Sequence, residues 1–184
     1  MSKKIIFILK TFFRKKKVKK IFFFRKTFCL KLKNHKSVRM IEVYTDGSCL
    51  HNPGPGGWAA KCYDPEFVVE GGFHTSTNNI MEMTAVIRAL EKCIELGELE
   101  AVIYTDSRYV KMGLTEWCKK WIANGWYTAA GGEVKNKVLW VRLLELMKQM
   151  HVINIEWVKA HSTNTKNNEV DGLARRQANI FSEK

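Results

Sequence analysis

The stretch "MIEVYTDGS", residues 40–48, ends a short β-rich run in an Asp, and "AVIYTDSR", residues 101–108, does the same. Partial alternation in the first run and an apolar second run predict strands over Met40–Asp46 and Ala101–Asp106. The second has the composition of a strand buried in a parallel sheet. If the two strands lie side by side and parallel, Asp46 and Asp106 meet at one edge of the sheet. Open α/β sheets place their ligands there, beyond the carboxyl ends of the strands.

Working outward, "GSCLHNPGPGG" reads as a Pro/Gly turn that breaks any regular element. Trp58–Tyr63 and Phe67–Phe73 read as a hairpin closed by "DPE". "HTSTNN" offers Asn or Thr as a helix cap. Met83, Ile87, Leu90 and Ile94 fall on one face of a helix over Ile80–Leu96, stopped by Gly97. Ser107 caps a helix to about Trp117, and a second short helix carries Trp121. After the loop "ANGWYTAAGGEVKN" comes a helix over Lys137–Met150, with Trp140, Leu143, Leu144 and Met147 inward. Val152–Val158 is a last strand, "KAHSTNTKNN" a polar loop, and Glu169–Ile180 a closing helix. The order βββ-α-β-αα-α-β-α predicts an α/β fold, a mixed sheet with helices on its faces.

The formal charge of +13 belongs to one end of the chain. Residues 1–39 hold 15 of the 31 Lys and Arg and no acid, leaving 16 basic residues against all 18 acids in 40–184. The expected division is therefore a Lys/Phe-rich extension, residues 1–39, and a folded body, residues 40–184. The runs "IIFIL" and "IFFF" are far shorter than the roughly 20 apolar residues that span a bilayer, and no secretory signal is present. The extension reads as disordered or non-native, with Met40 as the start. Its alternatives are a nucleic-acid clamp or an anchor to anionic membrane. The five Cys form no CxxC pair, which fits a reduced, cytoplasmic protein with small buried thiols and no zinc finger.

Two converging carboxylates repel, and one would take up a proton. A divalent cation removes the conflict, since Mg²⁺ binds one or two carboxylates together with phosphate oxygens. Glu82 and Asp171, each expected in the first turn of its helix, supply two more acids. Three or four carboxylates can hold two ions that clamp both the attacking and leaving oxygens of a phosphodiester. Taken singly, Glu82 and Asp171 read as acids complementing helix dipoles, His161 as a solvated loop residue, and "TDG" as a strand end. Only their combination points to chemistry.

The segments "YTDGSCLHNPGPGGWAA", "TSTNNIMEMTAVIRAL", "YTDSRYVKMGLTEWCKKW", "GWYTAAGGEVKNKVLW" and "WVKAHSTNTKNNEVDGLARRQA" resemble the successive motifs of ribonuclease HI, in order and over Met40–Ala178. The resemblance implies a five-stranded mixed sheet flanked by helices on both faces. It implies that Asp46, Glu82, Asp106 and Asp171 bind two Mg²⁺, with Mn²⁺ as a possible substitute. A metal-activated water would then cut RNA paired to DNA, leaving 5′-phosphate and 3′-hydroxyl ends. His161 matches a His that assists turnover. Gly47, Ser48, Cys49 and Asn52 resemble the segment that approaches the minor groove, where the 2′-OH distinguishes RNA. Asn78 and Asn79 match strand-contacting groups, though both could equally cap the helix. Thr77 and Asn136 match a pocket for a DNA-strand phosphate, and Trp117 and Trp121 match residues around the DNA-facing channel. The partner implied is an RNA/DNA hybrid, met by a monomer without a stable protein partner.

The chain also departs from the family. Thr75 stands where Arg is frequent, Arg108 where Gln is frequent, and Asn168 where Glu follows Asn167. "AHSTN" replaces a "GHxG" loop, and "IANGWYTAAGGE" has no Lys or Arg where the family carries a basic handle. The sequence also allows three other readings: a non-catalytic duplex-binding module, a domain cut from a reverse transcriptase, and a membrane-tethered nuclease. The intact acid quartet disfavours the first, because without metal it would repel phosphate.

Overall fold

A computed structural model of the chain describes residues 39–183. The elements, in chain order, are β1 (Ile41–Cys49), β2 (Gly54–Tyr63), β3 (Glu66–Ser76), α1 (Asn78–Leu96) and β4 (Glu100–Thr105). They continue with α2 (Arg108–Met112), α3 (Cys118–Ala123), α4 (Lys137–Met147), β5 (Val152–Trp157) and α5 (Thr165–Ile180). The sheet order is β3-β2-β1-β4-β5. β1 pairs antiparallel with β2 and parallel with β4, and β4 pairs parallel with β5. The expected five-stranded mixed sheet is present, and Thr45 lies opposite Thr105.

Alternation along β1 and β4 divides the protein into two apolar layers. Val43 and Ile103 face a core built with Met83, Val86, Leu90, Val110, Trp140, Leu143 and Leu146 from α1, α2 and α4. Tyr44 and Tyr104 face the other way, where Val170 and Ala174 of α5 cover the sheet with Ala59. Helices therefore occupy both faces. Cys62, Cys93 and Cys118 are buried free thiols, and Cys49 is half-buried. Among the described residues no helix is long and apolar enough to cross a membrane. Cys29 and the expected extension, apart from Arg39, lie outside the described residues.

Several boundaries differ from the sequence expectation. β1 runs on to Cys49, because Gly47, Ser48 and Cys49 pair with Trp58, Gly57 and Gly56. The "GPGG" segment is thus strand, not turn; small residues let another chain segment lie close against the sheet. A Cβ on Gly57 would sit 2.1 Å from the carbonyl oxygen of Ala174 in α5. Met150 lies beyond α4, and Leu146 is buried where Leu144 and Met147 are half-buried. The two expected helices after Ser107 run together through a wide π-type turn at Gly113–Trp117. A Cβ on Gly113 would fall 2.1 Å from the Trp140 ring, so the glycine lets this segment settle on the indole. α5 begins at Thr165, four residues early, because Asn164 caps it by accepting from the Asn167 amide at 3.1 Å.

Candidate active site

The parallel register of β1 and β4 brings Asp46 and Asp106 to the same edge, on the face covered by α5. Asp46 is buried and accepts from the Gly47 amide at 2.8 Å. Glu82 enters from α1. A Cβ on Gly47 would lie 2.2 Å from the Glu82 nitrogen, so only glycine lets α1 approach β1 this closely. The resemblance places that glycine in the segment that approaches the minor groove; within the fold its steric duty is to seat Glu82 beside Asp46. Carboxylate oxygens of Asp46, Glu82 and Asp106 all lie within 4.8 Å of one another.

Asp171 approaches from α5. Its position is about a turn further into the helix than expected, and that of Glu82 in α1 is two residues further. Asp171 Oδ1 pairs with Arg175 Nε at 2.9 Å, and Oδ2 lies 3.8 Å from His161 Nδ1. His161 is exposed, adopts a left-handed backbone (φ 48°), and has Nε2 3.3 Å from an Arg175 nitrogen. Arg175 went unremarked in the sequence. Its signal was its place four residues after Asp171, one helical turn on.

Burial raises the carboxyl pKa values here. Asp46 is pushed up to about 8, first by burial, then by the charges of Asp106 and Asp171, with a hydrogen bond to Asp171 adding to the effect. Burial, then Asp46 and Asp106, holds Glu82 well above the usual carboxylate range. Burial also raises Asp106, although the Asn167 amide opposes the shift by donating to its Oδ2 at 3.5 Å. Glu82 Oε1 accepts from Asn78 Nδ2 at 3.4 Å. Its Oε2 is buried and unpartnered among the described residues. A buried carboxylate oxygen with no donor, facing two more acids, is an unfavourable arrangement unless a cation joins it. The all-oxygen donor set suits a hard divalent ion such as Mg²⁺.

The remaining expected residues form two groups. Asn52 Oδ1 accepts from the Asn78 amide at 3.2 Å, tying the Ser48–Asn52 turn to the start of α1. Cys49 Sγ is half-buried, 3.4 Å from the Ser76 carbonyl. Thr77, rather than either Asn, caps α1 by accepting from the Ile80 amide at 3.4 Å, which leaves Asn78 free to hold Glu82. Asn79, Trp121 and Asn136 line one cleft of about 390 Å³ with Tyr109 and Lys135; Thr77 does not line it. Asn136 takes a left-handed backbone and donates to the Tyr109 hydroxyl at 3.3 Å. Trp117 and Trp121 pack together with ring centroids 5.8 Å apart, and Trp121 also packs on Trp140.

Asn167, noted in the sequence only as a retained Asn, is buried, and its Oδ1 is unpartnered among the described residues. Trp157 Nε1 donates to the Asp106 carbonyl at 2.9 Å. No sequence pattern announces that bond, because the two residues are brought together only by the pairing of β4 with β5.

The RNase H family model matches residues 38–179. A ribonuclease H from Xanthomonas oryzae pv. oryzae is 50% identical over 143 residues, covering 77% of this chain and 93% of its own. The N-terminal RNase H domain of a Mycobacterium tuberculosis protein, solved as a fusion with maltose-binding protein, superposes with a TM-score of 0.60 at 25% identity, covering 78% of this chain and 97% of that one. LC11-RNase H1, solved in complex with an RNA/DNA hybrid, gives a TM-score of 0.59 at 21% identity over 76% of this chain and 97% of its own.

Proposed function

The chain belongs to the RNase H family, enzymes that cut the RNA strand of RNA/DNA hybrids, and we propose that it does so as an endonuclease at Asp46, Glu82, Asp106 and Asp171. The observation that carries this reading is the convergence of three carboxylates within 4.8 Å, with Asp171 acting on Asp46 by charge and hydrogen bond. Bound there, two Mg²⁺ would supply Lewis-acid activation of a water and offset charge on the attacking and leaving oxygens. The chain's own residues hold that arrangement. Gly47 admits Glu82, Asn78 orients its carboxylate, Asn167 and Trp157 fix Asp106, and Arg175 orients Asp171. His161, beside Asp171, is placed to accept or donate a proton at the rim of the site. The products would carry 5′-phosphate and 3′-hydroxyl ends.

Asn52, Asn78 and Asn79 offer polar groups to the duplex, and the cleft of Asn79, Trp121 and Asn136 suits the DNA strand. We read residues 40–184 as a cytoplasmic, monomeric catalytic domain, with the basic extension as a separate segment. The test is an end-labelled RNA annealed to DNA, incubated with the full chain. RNA/RNA, single-stranded RNA and DNA/DNA serve as comparisons, each with Mg²⁺ or chelator. Cutting of only the hybrid RNA, dependent on Mg²⁺ and lost in Asp46→Asn, is expected. Tight hybrid binding by a folded chain without any cutting would overturn the reading in favour of a binding module.

A further inference from the structure

Arg108 stands two residues beyond Asp106, and nothing above gives it a task. It is exposed, and no carboxylate lies within ion-pair distance of it among the described residues. Its guanidinium carbon lies 4.8 Å from the ring centroid of Trp157. Trp157 ends β5 opposite Thr105 and is 39% exposed. Its Nε1 donates to the Asp106 carbonyl at 2.9 Å. One indole therefore braces the backbone of a cluster acid and seats a cation beside it.

Two cations of the neighbouring elements are engaged elsewhere. Arg175 pairs with Asp171, and Lys111 binds the Ile155 carbonyl and Glu156. The loop 122–134 contains no Lys or Arg and does contain Glu133. A guanidinium stacked on an aromatic face keeps its N–H edges available and gives up less freedom on binding than an unsupported chain. Those edges match phosphate oxygens two at a time.

We propose that Arg108, seated on Trp157, grips an RNA-strand phosphate next to the one being cut. This rests on the function proposed above. The scissile phosphate must lie against Asp46 and Asp106, and phosphates of one strand follow at about 3.4 Å of axial rise. The anionic group nearest a side chain two residues from Asp106 therefore belongs to the cut strand.

The test compares the full chain with its Arg108→Gln and Arg108→Lys variants. Hybrid affinity is measured by fluorescence anisotropy in chelator across a salt series, and cleavage is followed with Mg²⁺. Arg108→Gln is expected to bind about three- to tenfold more weakly, with a salt slope shallower by about 0.7–0.9. KM rises and kcat at saturation stays within about twofold, as when an interaction made equally in ground and transition states is removed. Arg108→Lys restores the slope but only part of the affinity, because it lacks the planar fork. A neutral methylphosphonate beside the cut position in the RNA strand abolishes the wild-type advantage, whereas one in the DNA strand does not. An unchanged slope and KM in Arg108→Gln would overturn the proposal, as would an advantage that survives RNA-strand neutralisation. If the wild type cuts the hybrid and Arg108→Gln matches it, only the Arg108 contact fails. If the Arg108-dependent slope is present but no hybrid is cut, the contact stands and the nuclease reading fails.

Discussion

The repeated "YTD" creates two pairs on one face of the sheet, and they behave in opposite ways. Tyr44 and Tyr104 stack with ring centroids 4.7 Å apart. Lys166 lies 5.3 Å from the Tyr44 ring centroid, and the Tyr63 hydroxyl donates to Glu169 at 2.5 Å, which also pairs with Lys61 at 2.6 Å. Two residues further on, the same register brings Asp46 against Asp106 in a cluster where Glu82 Oε2 and Asn167 Oδ1 have no partner among the described residues. Register decides which residues meet; their chemistry decides whether the meeting stabilises the chain or awaits a ligand. The tyrosine pair is complete in itself, and the acid pair is not.

The sharpest break of this contrast is Asp46→Asn. Even groups that only support metal ligands are worth about 10–100-fold in affinity or activity. Losing a ligand should therefore lower hybrid cleavage by at least about a hundredfold. Replacing an acid that burial and its neighbours force to take up a proton should at the same time raise the melting temperature of the metal-free chain. The opposite pattern is expected from Tyr44→Ala. Truncating a buried aromatic costs about 3 kcal/mol of stability, read by urea unfolding, while kcat at a temperature where the variant is folded stays near that of the wild type.

Asn167→Ala probes the acid end more gently. It is expected to weaken Mg²⁺ binding about tenfold, read by calorimetry, with a smaller effect on unfolding than Tyr44→Ala. The last probe is pH. Asp46 holds its proton up to about 8 in the folded chain, far above an ordinary Asp, so between these limits the native state binds more protons than the unfolded one. Metal-free stability should be greatest below the ordinary Asp range and fall as pH rises toward about 8. Saturating Mg²⁺ should flatten that slope in thermal melts. A metal-free chain that gains stability over this window would break the contrast.

The parallel pairing of β1 and β4 was legible because two apolar runs end in the same tripeptide, and the hairpin because turn residues separate its strands. Strand and helix ends were less so. Gly54, Gly56 and Gly57 read as turn residues but pair in the sheet, where closeness to α1 at Gly56, to α5 at Gly57 and to the Leu50 carbonyl at Gly54 demands their small size. The polar residues at 165–168 read as loop because nothing in their composition marks the outer face of a helix, yet Asn164 caps them. The four acids were legible as strand-end and helix-start carboxylates, and a resemblance that spans nearly the whole body joined them into one set. Their supports were not, since Asn167, Arg175 and Trp157 act through contacts that only the assembled fold creates.

The central claim is that this acid cluster is a protonated, strained arrangement completed by divalent metal. Titration of the full chain with Mg²⁺ at neutral pH, by calorimetry in two buffers of different ionisation enthalpy, tests it most directly. Metal binding should release protons, because ligating carboxylates must ionise, and both signals should diminish in Asp46→Asn. Mg²⁺ binding without proton release, or no binding by the folded chain, would contradict the account.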